Sequence, residues 1–366
     1  MGLTIAFFGS SLVSSYWNGA ATYYRGIIKA LHELGHHVTF FEPDAYDRQA
    51  NRDMENPEWA TVVVYPATEE AAAQCLERAA DADLVVKASG VGVFDEFLER
   101  EVLMLKKETT QVVFWDVDAP ATLERVAADP SDPFHRLIPA YDLILTYGGG
   151  WPVVERYLSF GARECIPIYN ALDPDTHFPV PPQQRFRTDL AFLGNRLPDR
   201  ETRVDEFFLS VAHRLPHRSF LFAGSGWGDK PRPANTTWLG HLGTGDHNAF
   251  NCSALAILNI SRASMASYGF SPATRVFEAA GAGACIITDA WDGVDNFFEP
   301  GKEILVAGNG DEVAAILEKL TEKEAAAVGM RAFARVRREH TYRHRARQFG
   351  EIFCSDTSTC RRGVAG

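Results

Sequence analysis

The 366-residue chain has no apolar run approaching the ~20 residues that a membrane span needs. It also has no basic excess. Its 36 Lys and Arg stand against 48 Asp and Glu, a formal net charge of −12. An acidic chain repels a polyanion at long range, which argues against nucleic acid as a partner. The six cysteines (Cys75, Cys165, Cys252, Cys285, Cys354 and Cys360) contain no C-x-x-C pair and no disulfide framework. That usage fits a reducing, cytoplasmic setting. The opening MGLTIAFFGSSLV lacks a basic stretch, and Gly9 and the serines after it break its apolar run. It reads as a first buried strand rather than a secretory signal. No G-x-G-x-x-G follows that strand, which argues against a simple dehydrogenase. Short internal repeats and long low-complexity tracts are absent as well.

What is present is an ordinary globular composition, 46% hydrophobic, on a chain long enough for two domains. After the first strand, a turn rich in Gly, Ser and Asn leads to Ala21, Tyr24, Ile27, Ile28, Leu31 and Leu34 at helical spacing. Gly35 stops that helix, and Val38–Phe41 is the next strand. This β-α-β unit implies a parallel sheet with a right-handed crossover. Further strands are expected at 84–87, 112–115, 143–146 and 164–168, with helices at 69–80, 93–107 and 152–160. Their continuous apolar runs suit a sheet buried on both faces. The segment 170–182, rich in Pro and Asp, reads as a linker. The alternation then restarts, with strands at 190–193, 220–222, 238–239, 256–260 and 285–288. Helices follow at 201–213, 246–251, 272–281, 311–338 and 341–354. The expectation is an α/β protein of two Rossmann-like, doubly wound domains facing a central cleft. An N-terminal domain spans 1–170 and a C-terminal domain 171–338. A closing helix at 339–354 has the option of packing back on the first domain. A disordered tail covers 355–366.

The strongest chemical signal is YGFSPATRVFEAAGAGACIITD, Tyr268–Asp289. Ser271 suits a helix N-cap and Pro272 its first turn. Free backbone N–H groups at such an end, through Ala273 and Thr274, favour a phosphate. Thr274 and Arg275 would add donors, and Glu278, one turn deeper, would accept hydrogen bonds from ribose hydroxyls. The bland alternative is a packing helix carrying a solvated Arg–Glu pair.

This segment resembles the donor-binding helix of GT-B glycosyltransferases, and most closely the CgeB-like, spore-maturation branch related to family 4 enzymes. The resemblance rests on Arg275-x-x-Glu278, then AAGAGACIITD, then FFEPGKEILV at Phe297–Val306. EHTYRHRARQF at Glu339–Phe349 and the amino-terminal FFGSSLVSSYWNGAATYYRGIIKALHELGHHVTFFEPD extend it over nearly the whole chain. It implies that Glu278 binds the donor ribose. Many family 4 enzymes carry a second Glu eight residues earlier, contacting the donor sugar; here that position is Phe270, so the paired-carboxylate motif is absent.

Other residues fit the same chemistry. Gly194, Asn195 and Arg196 follow the first strand of the second domain, and Arg200 opens the next helix. Arg196 and Arg200 are candidates to neutralise a diphosphate; surface arginines near a turn are the alternative. Gly224, in a glycine-rich turn, and His241, a candidate base contact or a plain surface histidine, follow later strands. Gly19 lies in the small-residue turn of the first domain. Asp116 and Asp118 form a D-x-D triplet after an apolar strand. As a metal site that triplet is at odds with the two-domain pattern, so no metal site is assigned. One of the two is a candidate general base for the acceptor, and a helix N-cap is the plainer role. His340 and His344 have metal-ligand spacing, but four nearby arginines argue against a cation. Gly148–Gly150 with Trp151 suit either an acceptor pocket or a structural turn.

The expected activity is metal-independent transfer of a sugar from a nucleotide-diphosphate sugar to an acceptor hydroxyl, with no cofactor. Arg275 would stabilise the departing diphosphate. A nucleotide-sugar epimerase of the same fold and a non-catalytic nucleotide-sugar-binding protein are the alternatives.

Overall fold

A computed structural model describes residues 2–16 and 18–354. The expected disordered tail lies outside the described residues. The chain forms two compact units, Met1–Asn170 with Tyr342–Gly366, and Ala171–Thr341.

The first unit is built on seven strands: β1 (Thr4–Phe8), β2 (His37–Asp44), β3 (Thr61–Pro66), β4 (Leu84–Ala88), β5 (Gln111–Asp116), β6 (Leu143–Thr146) and β7 (Cys165–Pro167). They lie in the order β3-β2-β1-β4-β5-β6-β7, all parallel. Helices α1 (Ala21–Glu33), α2 (Glu69–Arg78), α3 (Asp95–Glu101), α4 (Ala119–Ala128), α5 (Pro133–Leu137) and α6 (Gly150–Ser159) connect them. Every residue of β4 is buried, as a strand covered on both faces requires. Phe7, Tyr24, Phe40 and Trp115 pack ring against ring in this core. Burial of each such side chain contributes on the order of 2–3 kcal/mol.

The second unit repeats the plan with β8 (Thr188–Leu193), β9 (Phe220–Ala223), β10 (Thr236–Trp238), β11 (Ala254–Asn259), β12 (Ile286–Asp289) and β13 (Leu305–Ala307). The order is β10-β9-β8-β11-β12-β13, again parallel. Both sheets therefore reverse direction beside their first strand, at β1/β4 and at β8/β11. In open α/β sheets that reversal opens a crevice at the carboxyl ends of the strands.

The helices are α7 (Pro198–Val204), α8 (Ser210–Arg214), α9 (His247–Ser253), α10 (Ala263–Tyr268), α11 (Thr274–Gly281), α12 (Gly310–Lys319) and α13 (Glu322–Glu339). The single helix expected at 311–338 is two, because Thr321 and Glu324 form a capping box that starts a new helix. The helix expected at 201–213 runs as α7 and α8 joined by a π-helical turn, Asp205–Leu209.

The last helix, α14 (Tyr342–Cys354), belongs to the first unit and packs on α1. Gly26 permits this approach: a Cβ there would sit 2.1 Å from the Tyr342 ring. Among the described residues no helix is long and apolar enough to cross a membrane. Cys75, Cys165, Cys252 and Cys285 form no disulfide.

Candidate functional site

The reversal point of the second sheet gathers the charged residues. Beyond β8 the chain runs through Gly194 to the first turn of α7, which carries Arg200. Gly224, at the end of β9, must be glycine: its φ is +134° and a Cβ would lie 2.0 Å from the Gly194 carbonyl. Asn195 accepts from the Ser225 amide at 2.9 Å, fixing the two turns together. Beyond β11, Arg262 reaches Asp199 at 2.7 Å and so ties the β11 turn to α7.

Arg200 faces Arg275 and Arg262. Burial, then those two neighbouring cations, push its guanidinium down to about 10. It stays charged at neutral pH, and its buried Nε has no hydrogen-bond partner. Burial also lowers Arg275, against the opposing pull of Glu278. A surplus of partly buried positive charge with an unsatisfied donor is the electrostatic signature of an anion site.

Helix α11 brings Arg275 and Glu278 there, but not as expected from sequence. The helix begins at Thr274, with Ala273 rather than Ser271 as its N-cap. Ser271 and Pro272 are buried in the preceding turn. Gly269 and Phe270 both take positive φ (+68° and +47°), and the Phe270 amide donates to the Asp292 carbonyl. This kink keeps the chain extended until Ala273, so the helix starts later. Ala273 has no side chain able to cap the helix end, and the amides of the first turn remain the kind of donors that bind phosphate.

Two histidines that the sequence did not single out flank Glu278. His177 Nε2 lies 3.9 Å from Glu278 Oε1, and the His177 and His247 rings are 6.2 Å apart. Burial would raise the Glu278 carboxyl, but His177, Arg275 and His247 hold it below the ordinary carboxylate value. Burial lowers His247. His177 sits in the proline-rich linker and His247 opens α9; only the fold joins them, and no spacing rule would have paired them.

Four further candidates differ in their surroundings. Arg196 is tied off: its guanidinium forms a fork with Glu201 at 2.7 and 2.8 Å and reaches Asp229 at 2.9 Å. These partners raise Arg196, and Arg196 together with Lys230 pulls Glu201 down to about 2. His241 is exposed. Gly19 is exposed in the first unit, with open space where a Cβ would stand. His340 packs its ring among Phe277, Phe297 and Phe298, a core role rather than a metal ligand.

Asp116 is a structural residue, not a base open to an acceptor. It is wholly buried. Oδ1 accepts from Ser89 Oγ (2.7 Å), the Asp118 amide (2.9 Å) and Thr122 Oγ1 (3.1 Å), and Oδ2 accepts from the Tyr157 hydroxyl. Burial raises its carboxyl despite these donors. Asp118 occupies the N-cap position of α4, though its side chain makes no capping bond. Trp151, in the first turn of α6, is 62% exposed.

Residues 200–351 match the family described as Glycosyl transferase-like. No curated protein matches the sequence. Solved structures match over nearly the full length. Sucrose-phosphate synthase from Thermosynechococcus elongatus is 14% identical, covering 98% of this chain and 100% of that one with a TM-score of 0.69. Alr3699/HepE from Anabaena, solved in complex with UDP and glucose, is 13% identical, covering 96% and 100% at 0.67. An alpha-glucosyltransferase in complex with UDP and a 13-mer DNA is 11% identical, covering 97% and 100% at 0.71. The chain thus has the two-sheet GT-B fold of these solved structures, and its match to the glycosyl transferase-like family spans the residues that contain Arg200, Arg275 and Glu278.

Proposed function

We propose that this protein transfers a sugar from a nucleotide-diphosphate sugar to an acceptor hydroxyl, without a metal or a resident cofactor, as an enzyme akin to the CgeB-like branch. The observation that carries this reading is the placement of Arg200, Arg275 and the uncapped start of α11 at the reversal point of the second sheet, with Glu278 one turn behind. The diphosphate would lie across the two guanidiniums and the helix amides. Fixed positive charge there stabilises the diphosphate as the glycosidic bond breaks, the role a metal ion plays in other transferases. Glu278, held ionised by its neighbours, accepts from the ribose hydroxyls. Structural relatives solved with UDP and with UDP-glucose support a uridine nucleotide as the first donor to try. Cys75, Cys165, Cys252 and Cys285, none of them in a disulfide, support a reducing, cytoplasmic setting.

The test is UDP-glucose binding measured by calorimetry, with GDP-, dTDP- and ADP-sugars in parallel. Glu278→Ala is expected to weaken donor binding by about 2 kcal/mol, roughly thirtyfold. Unchanged donor affinity in a folded Glu278→Ala protein refutes the assignment. Donor incubated alone must release nucleotide slowly and return no isomerised sugar; an epimerised product would select the epimerase reading instead.

A further inference from the structure

We infer that His177, His247 and Glu278 form a binding site for a divalent transition-metal ion of the zinc type, and that its occupancy competes with the donor for the Glu278 carboxylate.

One ligand atom from each of the three side chains lies within 4.8 Å of the others. His177 and Glu278 are largely buried, at 10% and 12% side-chain exposure. The hydrogen bonds around the rings determine which nitrogens face inward. Thr176 Oγ1 donates to the Asp173 carbonyl at 3.1 Å, so its proton is used. It must therefore accept from His177 Nδ1–H, 3.0 Å away. Nε2 of that ring faces the Glu278 carboxylate at 3.9 Å. The His247 ring stands 6.2 Å from the His177 ring, centroid to centroid. Two imidazole rings and a carboxylate thus converge within reach of a single cation.

Thr176, 3.0 Å from His177 Nδ1, follows the pattern seen around metal-bound histidines, where the second ring nitrogen donates to an oxygen and fixes the ring. Two imidazoles and one carboxylate suit zinc better than magnesium or calcium, which prefer all-oxygen sites. Ligand atoms around tetrahedral zinc stand about 3.3 Å apart when each is ~2.0–2.1 Å from the ion. The 3.9 Å between His177 and Glu278 closes to that by a small side-chain adjustment. Three protein ligands leave a fourth position open. Arg275, beside Glu278, opposes any cation and keeps the affinity below that of a closed structural zinc site. The metal is thus an inhibitor rather than a catalyst: it removes the carboxylate that would hold the ribose.

The test uses untagged, chelator-dialysed protein titrated with Zn2+ against a chromophoric chelator, with no nucleotide present. A single equivalent is expected to bind. His177→Ala and His247→Ala should each lower the affinity more than about tenfold, and Thr176→Val about tenfold through loss of the outer partner. His213→Ala, an exposed histidine elsewhere, should not. Absence of stoichiometric zinc, or unchanged affinity in a folded His177→Ala/His247→Ala protein, overturns the site. A second arm measures UDP-glucose affinity with and without Zn2+ and rests on the proposed role of Glu278. Zinc should weaken donor binding in the parent and not in the double-histidine variant; donor binding indifferent to bound zinc overturns the competition. Zinc bound through the histidines in a protein that never binds a sugar nucleotide sinks the transferase reading and leaves the metal site standing.

Discussion

The two units share one strand order but end their strands differently. In the first, the charged and polar groups beyond β4 and β5 close on one another. Lys87, fully buried, reaches Asp95 at 2.7 Å, and Asp116 receives four donors. In the second, one carboxylate is similarly enclosed: Asp289, wholly buried, takes the Ser261 amide and Arg203 at 2.6 Å. Around it, however, Arg200, Arg262 and Arg275 crowd together, and Glu278 alone faces two histidines. A satisfied polar cluster holds a fold together; one that leaves a buried cationic donor unbonded, as at Arg200 Nε, is open to a ligand. The same topology has been given a sealed end in one copy and an open, cationic end in the other.

The largest expected effect tests the sealed end. Asp116→Ala leaves Ser89, Thr122, Tyr157 and the Asp118 amide without their common acceptor in a buried place. The loss should be about 3 kcal/mol or more in urea unfolding. Asp116→Asn, which keeps one acceptor oxygen, should cost about 1 kcal/mol. An Asp116→Ala protein as stable as the parent but without transfer activity would make Asp116 a general base and dissolve the contrast between the units.

The open end is tested by three arginines. Arg275→Ala should raise the dissociation constant for UDP about thirtyfold, near 2 kcal/mol, and Arg200→Ala should act in the same direction. Arg196→Ala should leave it nearly unchanged, because that guanidinium is already held by Glu201 and Asp229. Equal losses at Arg196 and Arg275 in calorimetry would mean that the ion pairs of Arg196 open for the ligand.

Sequence reasoning reached the parallel, two-unit plan because buried strands such as β4 and β5 are continuous apolar runs, which little else produces. It missed β3, a partly exposed sheet edge whose apolar pattern is weak, and α10, which buries no residue and so shows no periodic face. At the site, Arg275 and Glu278 were legible because three residues along a helix are neighbours. Arg200 was found only as half of an undecided pair, since Arg196 and Arg200 look alike until Glu201 and Asp229 are seen to claim one of them. His177 and His247 were invisible: each is unremarkable locally, and their meeting depends on the path of the linker. The enclosure of Asp116 was not legible, because a carboxylate at a strand end looks the same whether it faces solvent or four donors.

The smallest effect sharpens the comparison through pH. Glu99 is buried in the first unit, 3.6 Å from Arg125, with Asp95 and Asp132 close by. Burial raises its carboxyl to about 7, more than Lys87 and Arg125 lower it. The folded state therefore holds this proton more tightly than the unfolded chain, whose value is near 4.5. Glu99 favours folding below pH 4.5, and that contribution is lost as the pH rises to about 7, where the charged form is penalised. Glu99→Gln removes the ionisation. The variant should match the parent near pH 4.5 and exceed it by about 1 kcal/mol at pH 8, the gain being cut by the lost contact with Arg125. Urea unfolding of both proteins across that range measures the difference directly. A variant that loses stability at pH 8 would show that Arg125 and Lys87 outweigh burial, and that the first unit's interior is held together by ion pairs rather than by neutral hydrogen bonds.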